Sequence, residues 1–245
     1  MKKRVDICIP VYNEELIIAE TITALKIFSN NQENYDFQFI FLDNASTDNT
    51  AKIIAELMFD QCQLVTIPER GKGRAVRHAA QYSDAEYYGF LDADLSARPE
   101  ELLLLLGQID SSEAVHIAVG SRFLSPNMVN RSLWRSLTST LFNQYAQLMI
   151  PVPVRDTQCG IKVMNSKGKD ALLTCQENGW FFDREFLGIA HKNGLSIKEH
   201  PVQWEEFHFK QRKSKLNPVI DGIKSAWILY GIRRRIKNHH EKRSV

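Results

Sequence analysis

Asp92 and Asp94 stand one residue apart, directly after the apolar, strand-like segment Tyr88-Gly89-Phe90-Leu91. Two carboxylates at a strand end can share one divalent cation, which is a common way to bind a diphosphate and stabilise its departure. The alternative interpretation is that the aspartates cap a turn or the helix that begins near Pro99. The choice between these interpretations depends on the motifs around the pair.

Two further polar segments follow apolar runs in the same way. Pro10-Val11-Tyr12-Asn13-Glu14 ends the first run, and Asp43-Asn44-Ala45-Ser46-Thr47-Asp48 follows the second. In open parallel α/β sheets, ligands bind beyond the carboxyl ends of the strands. We therefore expect these two segments and the aspartate pair to open onto one edge of a sheet.

The elements that must position these residues alternate between strands and helices. Short β-rich runs are separated by segments with apolar residues at helical spacing. This alternation predicts an α/β fold with a mostly parallel sheet and helices on both faces. The predicted strands are 5–11, 37–42, 64–67, 87–91, 115–119 and 196–204. The predicted helices are 14–28, 48–59, 74–82, 100–109, 131–149 and 182–192, and a polar loop is predicted over 155–160.

Composition narrows the class of protein. The 245 residues are 44% hydrophobic and 24% charged, which suits one α/β domain with a C-terminal appendage. A formal net charge of +2 does not indicate a nucleic-acid partner. The four cysteines match no zinc spacing, so reduced thiols in the cytosol fit best. We expect neither a signal peptide nor a membrane span, which would need roughly 20 consecutive apolar residues.

The strand-end motifs together resemble a known family. With Gly71-Lys72-Gly73, they look like the donor half of family 2 glycosyltransferases, which have the Rossmann-like GT-A fold. The resemblance implies a nucleotide-sugar donor whose nucleoside lies near Asp43, and Mg²⁺ or Mn²⁺ bound by Asp92 and Asp94. The residues that it assigns to the sugar donor are Pro10, Tyr12, Glu14, Asp43, Lys72 and Asp92.

Two positions depart from the family pattern. Asn44 stands where the family usually has a second acidic residue, which leaves an uncharged hydrogen-bonding group there. Ser96 stands where the family often has a glutamine, so one metal ligand would be weaker or replaced by water. The glycines on each side of Lys72 permit a loop whose backbone approaches a ligand closely. The alternative for that loop is an ordinary solvated turn.

Motifs in the second half resemble the dolichol-phosphate mannosyltransferases and their glucosyl and bacterial polyprenyl relatives. The matching segments are 120–123, 135–139 with Asn143, 156–160, 182–185, 201–204 and 214–215. The resemblance implies that Arg122, Arg135 and Ser139 bind the acceptor phosphate, since arginine forks suit phosphate oxygens. Lys215 would help to bind the sugar donor. Asp156 would act as a catalytic base or orient the acceptor loop. For each arginine the alternative is a surface ion pair.

The C-terminal end joins an aromatic and aliphatic helix to clustered cations, among them Arg233-Arg234-Arg235 and Lys237. Such a segment is either a solvated tail or a surface that binds anionic lipids. We expect peripheral attachment to the cytoplasmic face of a membrane, with a separate membrane-anchoring subunit as a further partner. The predicted domain is 1–215, with a donor half (1–122) and an acceptor half (123–215), and the membrane-associating helix and basic tail are 216–245.

The predicted function is inverting transfer of a hexose from a GDP-mannose or UDP-glucose type of donor to a polyprenyl phosphate, either dolichyl or undecaprenyl. One alternative is a family 2 transferase that acts on a polysaccharide or a protein glycan. Another is a nucleotidyltransferase, which would release pyrophosphate instead of a nucleoside diphosphate. A third is a nucleotide-sugar binder without catalysis, which has no need of Asp92 and Asp94.

Overall fold

A seven-stranded mixed sheet forms the centre of the part of the chain that the computed structural model describes, residues 2–124, 144–205 and 218–241. Its spatial order is β3-β2-β1-β4-β6-β5-β7. Neighbouring strands are parallel except at β6, which runs antiparallel to both β4 and β5. The predicted mostly parallel sheet is confirmed. The strands are β1 Lys3–Val11, β2 Tyr35–Asn44, β3 Cys62–Ile67, β4 Tyr87–Leu91, β5 Val115–Ser121, β6 Ile161–Asn165 and β7 Ser196–Pro201.

Helices cover both faces of the sheet, as predicted. They are α1 Ile18–Asn30, α2 Thr50–Leu57, α3 Lys72–Tyr82, α4 Glu101–Asp110, α5 Ser166–Leu173, α6 Phe182–Lys192 and α7 Pro218–Glu241. Strand β2 shows how the two layers share the core. Its Phe39 and Phe41 pack with α1, α2 and α4, while Ile40 and Leu42 pack with the layer that contains α3, α5, α6 and α7. Side chains that alternate along a strand therefore supply both cores.

Strand β1 is the point at which the winding of the sheet changes direction. Its neighbour β2 follows it directly in the chain, whereas its other neighbour, β4, is reached only after β3 and α3. A crevice opens beyond the carboxyl ends of the strands at such a switch point. The fold thus places the ends of β1 and β4, and the motifs that follow them, beside one another.

Several boundaries differ from the sequence prediction. Helix α1 begins at Ile18 instead of Glu14, because residues 14–17 form a turn in which Ile17 N and Ile18 N both donate to Glu14 O at 3.0 Å. Strand β7 ends at Pro201, three residues before the predicted end. The sequence did not predict β6 or α5. The predicted helix over 131–149 lies mostly outside the described residues, and its last part, 144–149, is helical.

Helix α7 packs into the main core. Leu229 and Ile232 are fully buried in the cluster that also contains Ile150 and Phe186. The division between 1–215 and 216–245 stays a prediction, but α7 contributes to the core of the predicted domain. Among the described residues, no helix combines the length and the apolarity needed to cross a bilayer.

Candidate functional site

The structure brings the three strand-end motifs together around one cavity of about 480 Å³, here called the strand-end cavity. Its lining on the sheet side includes Pro10, Tyr12, Glu14, Asn44, Asp92 and Asp94. The opposite side is formed by Arg70, Gly71 and Lys72 and by the loop 176–180 through Asn178, Gly179 and Trp180. A volume of this size is ordinary for a small-molecule site.

Backbone strain is concentrated in the loops that surround this cavity. Asn13, Ala45 and Leu95 have φ values of 54°, 69° and 48°, and each lies in one of the three loops after β1, β2 and β4. Residues other than glycine rarely adopt this conformation, and such residues cluster at functional sites. Hydrogen bonds hold the first two loops together, since Thr47 N donates to Asn13 Oδ1 at 2.7 Å and Asn13 N donates to Ser46 Oγ at 3.0 Å.

Asn44 ties three segments together at the edge of the sheet. Its side-chain amide donates to Val11 O at 2.6 Å and accepts from Gly71 N at 3.0 Å, and the residue is 5% exposed. An ionised carboxylate has no proton to donate to Val11 O. The asparagine therefore suits this position for a structural reason, which accounts for the departure from the family pattern.

Asp43 lies behind Asn44 rather than on the cavity wall. It is 3% exposed, and its Oδ1 accepts a hydrogen bond from Ser46 N at 3.1 Å. In this structure Asn44, not Asp43, is among the residues that line the cavity. The expected nucleoside contact of Asp43 stays a prediction, and the observed contact stabilises the turn after β2.

Lys72 forms the closest charge contact of the cavity. Its Nζ lies 2.5 Å from Asp92 Oδ1 and 5.2 Å from the centre of the Trp180 ring, and its side chain is only 9% exposed. Burial lowers the pKa of Lys72, but the charges of Asp92, Asp183 and Asp94 outweigh this effect and raise it above its ordinary value. Lys72 is therefore a fixed cation in the lining of the strand-end cavity.

The glycines beside Lys72 were expected to let a loop backbone approach a ligand closely, and in the structure they serve contacts within the protein. Helix α3 begins at Lys72, and Gly71 before it has a φ of 139°, which favours glycine. A Cβ on Gly73 would lie 2.6 Å from Glu177 O and 2.8 Å from Phe182 Cγ. The close approach at Gly73 is thus made by the protein's own chain.

Asp92 and Asp94 are held in place by backbone groups. Asp94 Oδ1 accepts a hydrogen bond from Ser96 N at 3.0 Å, and Asp92 N donates to Gly160 O at 2.9 Å. Both side chains line the cavity. The described residues contain no group of three or more histidine, cysteine, aspartate or glutamate side chains that could hold a metal ion. Two carboxylates nevertheless suit Mg²⁺ or Mn²⁺, because a diphosphate and water supply further oxygen ligands in such sites.

Arg122 and Asp156 are bound to each other. Arg122 Nε donates to Asp156 Oδ2 at 2.7 Å and Nη2 donates to Oδ1 at 2.8 Å, while Arg122 N also donates to Oδ2 at 3.0 Å. The guanidinium lies 4.9 Å from the centre of the Trp204 ring. Burial lowers the pKa of Arg122, but the hydrogen bonds to Asp156 outweigh it and raise the pKa.

This geometry corresponds to the ion-pair alternative for Arg122, with the pair largely buried. Asp156 is 2% exposed and both of its oxygens already accept hydrogen bonds. Its expected action as a base, and the expected contact of Arg122 with an acceptor phosphate, stay predictions. Arg135, Ser139 and Lys215 lie outside the described residues.

The loop 176–180 is a part of the site that sequence reasoning missed. Arg77 fixes it by donating to Glu177 O at 2.6 Å and to Asn178 Oδ1 at 2.5 Å. Glu185, which is 1% exposed, accepts hydrogen bonds from Gln176 N and Glu177 N, and also pairs with Arg235 of α7 at 2.6 Å. The only local signal was the pair Gly179-Trp180, a turn residue beside a large aromatic ring.

A second buried ion pair lies beneath the cavity. Lys162 Nζ is 2.6 Å from Asp183 Oδ1, and both side chains are almost completely buried. The ring of Phe90 lies close to Lys162 and Lys72, with their Nζ atoms 4.9 Å and 5.6 Å from its centre. Burial raises the pKa of Asp183 even though Lys162 and Lys72 oppose this change. The pair anchors the start of α6 under the cavity.

The comparison of residues 6–171 with known families matches glycosyl transferase family 2. The match covers more than half of the 245 residues, so the chain belongs to this family. The predicted family and the predicted enzyme class, a glycosyltransferase, are confirmed.

Similar proteins identify the branch of the family. The chain is 30% identical over 251 residues to the dolichyl-phosphate β-glucosyltransferase of Saccharomyces cerevisiae, covering 93% of this chain and 73% of the yeast protein. It is 27% identical over 249 residues to the Homo sapiens enzyme of the same name, covering 95% of this chain and 76% of that protein. The predicted polyprenyl-phosphate subfamily is therefore confirmed.

A solved structure confirms the predicted GT-A fold. Glucosyl-3-phosphoglycerate synthase from Mycobacterium tuberculosis, in complex with Mn²⁺, UDP-glucose and phosphoglyceric acid, superposes with a TM-score of 0.70. The superposition covers 96% of this chain and 80% of the synthase, at 16% sequence identity. At this identity the likeness concerns the fold alone.

Proposed function

We propose that this protein transfers glucose from UDP-glucose to a polyprenyl phosphate, with inversion at the anomeric carbon. The observation that carries the proposal is the similarity, over more than nine tenths of the chain, to enzymes named dolichyl-phosphate β-glucosyltransferases. Of the two types of sugar donor expected from the sequence, GDP-mannose and UDP-glucose, these names favour UDP-glucose. The geometry of the strand-end cavity supports the proposal.

The sugar donor binds in the strand-end cavity. The Arg70 guanidinium stacks on the Tyr12 ring, 4.5 Å from its centre, and this pair offers a flat surface for a nucleoside base. Lys72 and Arg70 supply the positive charge that a diphosphate requires. Trp180, which is 69% exposed, lines the cavity beside Lys72.

Asp92 and Asp94 would hold Mg²⁺ or Mn²⁺. A bound ion would neutralise the charge that develops on the departing diphosphate. Asp92 Oδ1 is paired with Lys72 in this structure. Coordination by Asp92 would weaken that pair, so the Lys72 ammonium could turn towards a phosphate oxygen of the donor. Ser96 N keeps Asp94 oriented throughout.

The acceptor phosphate attacks the anomeric carbon as the uridine diphosphate leaves. A bond forms between a phosphate oxygen and C1, and the bond between C1 and the β-phosphate oxygen breaks with its electron pair passing to that oxygen. A lipid phosphate is largely ionised near neutral pH, so the reaction needs little help from a base. Asp156 then serves to orient Arg122 and the loop that leads to Gly160.

The protein reaches its lipid acceptor by binding to the cytoplasmic face of a membrane through α7. Trp227 and Tyr230 of this helix are 72% and 55% exposed, and Arg233 and Arg234 lie one turn further along the same helix. Aromatic rings and cations together suit the headgroup region of a bilayer. A separate membrane-anchoring subunit would be a further partner of this segment.

A two-step experiment tests the function. Thermal unfolding is first measured with UDP-glucose, GDP-mannose and UDP-N-acetylglucosamine, each with Mg²⁺ or Mn²⁺, and UDP-glucose should stabilise the protein most. Transfer to a short polyprenyl phosphate is then followed by release of uridine diphosphate. Transfer to a water-soluble glycan, with no response to the lipid phosphate, would overturn the proposed acceptor in favour of a polysaccharide or protein glycan.

A further inference from the structure

A second cavity lies at the far end of α6 from the strand-end cavity. It encloses about 470 Å³ between residues 148–151, the second half of α6, and α7. Ile150, Gly188 and Ile236 line its apolar part. A Cβ on Gly188 would lie 2.7 Å from both isoleucine side chains, so these three residues pack tightly together.

The polar part of this cavity is basic. Lys192, Arg233 and Lys237 line it together with His191, and none of the described residues in the lining carries a carboxylate. Within the described residues none of the three cations forms an ion pair, and their side-chain contacts are long, such as Lys192 Nζ to Ile236 O at 3.4 Å. The cavity, here called the basic cavity, therefore presents positive charge beside an apolar surface.

The surface beside the basic cavity is apolar and exposed. Leu148, which lines the cavity, is 77% exposed. Trp227 and Tyr230 precede Arg233 and Lys237 on α7 at helical spacings of three to four residues, so these side chains share one side of the helix. An exposed apolar patch that leads into a basic cavity is a common feature of surfaces that bind lipids.

We propose that the basic cavity binds the headgroup of an anionic phospholipid in a bilayer. The phosphate pairs with Arg233, Lys237 and Lys192, and the first methylene groups of the lipid contact Leu148 and the apolar part of the cavity. Charge complementarity selects an anionic headgroup, and the apolar half of the lining selects a lipid over free phosphate.

This site is separate from the site of sugar transfer. Helix α6 runs from Phe182, beneath the strand-end cavity, to Lys192 at the basic cavity, and its 11 residues span about 15 Å. A phosphate at Lys192 therefore cannot be the phosphate that reacts. The proposal goes beyond the proposed function, because it assigns a place to a lipid that is not a substrate.

Vesicle binding by the full chain tests the proposal. Vesicles of phosphatidylcholine with added phosphatidylglycerol are compared with vesicles of phosphatidylcholine alone, by co-sedimentation. The double variant Arg233→Gln/Lys237→Gln should lower the partition coefficient for the anionic vesicles about thirty-fold, which corresponds to about 1 kcal/mol for each cation. Leu148→Asn should lower it several-fold.

Matched controls distinguish binding at the basic cavity from general electrostatic attraction between the protein and an anionic membrane. Lys26→Gln/Lys224→Gln removes the same charge at exposed positions that do not line the basic cavity. Leu104→Asn changes an exposed leucine of α4. Both controls should bind at least several-fold better than the matching site variants, with unchanged thermal unfolding. Equal losses in the two double variants, or binding of soluble glycerol phosphate as tight as that of vesicles, would overturn the proposal.

Discussion

Replacement of Gly160 by alanine tests whether the placement of Asp92 controls catalysis. A Cβ at position 160 would lie 2.6 Å from Asp92 Cγ and 3.0 Å from Asp92 Cβ, against 3.4–4 Å in ordinary contacts. The two backbones cannot simply move apart, because Asp92 N donates to Gly160 O at 2.9 Å. Gly160 also lacks a positive φ, so alanine meets no backbone strain there. The carboxylate of Asp92 must therefore shift by about 1 Å, which commonly costs about 100-fold in rate.

The assay is release of uridine diphosphate at saturating polyprenyl phosphate, over a range of Mn²⁺ concentrations. Gly160→Ala should lower the rate about 100-fold and raise the Mn²⁺ requirement, with thermal unfolding close to that of the parent. Gly107→Ala is the matched control, because a Cβ at position 107 meets nothing within 4 Å and alanine favours the helix.

A double-mutant cycle with Asp92→Asn shows whether the effect passes through Asp92. The loss caused by Gly160→Ala should largely vanish in the Asp92→Asn background. A parent-like rate for Gly160→Ala, or an undiminished loss in that background, would show that the contact between the two residues does not control the reaction.

Three further predictions concern the metal, the buried ion pair and the thiols. Asp94→Asn should lower metal-dependent transfer at least about 100-fold without a change in thermal unfolding. The control Asp60→Asn, at an exposed position, should leave both the rate and the unfolding unaltered. Normal turnover of Asp94→Asn would remove Asp94 from the metal site. Asp156→Asn should lower the free energy of unfolding in urea by about 3 kcal/mol, because Arg122 then loses its buried charged partner. A loss below about 1 kcal/mol, as for an exposed ion pair, would contradict the prediction. Burial raises the pKa of the Cys8 and Cys159 thiols from 9.0 to about 12, so the unfolded chain loses these protons first as the pH rises. The free energy of unfolding, measured under reducing conditions, should therefore fall above pH 9 by up to about 1.4 kcal/mol per pH unit for each thiol, and a flat profile there would refute the shift.

The sequence predicts the sheet side of the strand-end cavity well. Apolar runs that end in polar residues indicate both the strands and the edge where their ends meet, because all ends of parallel strands point the same way. This reasoning places Pro10, Tyr12 and Asp92 correctly on the cavity wall. Even Asn44, which departs from the family pattern, occupies that wall for a local reason that the hydrogen bonds make clear.

The opposite side of the cavity depends on contacts between distant parts of the chain. Strand β6 contains Lys162, a fully buried lysine that breaks the apolar pattern of a central strand, and its partner Asp183 comes 21 positions later. The loop 176–180 has no regular structure. It is held by Arg77, which lies about 100 residues earlier in the chain, and by Arg235, which lies more than 50 residues later and contacts Glu177. No local periodicity carries that information.

The packing of α7 has a practical consequence for anyone who shortens this protein. A basic helix with exposed aromatic residues is a common choice for removal when a more soluble protein is wanted. Here its loss would expose the apolar surfaces that Leu229 and Ile232 cover, and would leave the buried carboxylate of Glu185 without Arg235. A chain cut before α7 should therefore aggregate or be digested more readily, whereas exposed Trp227 and Tyr230 can be replaced singly by polar residues to gain solubility while the core stays closed.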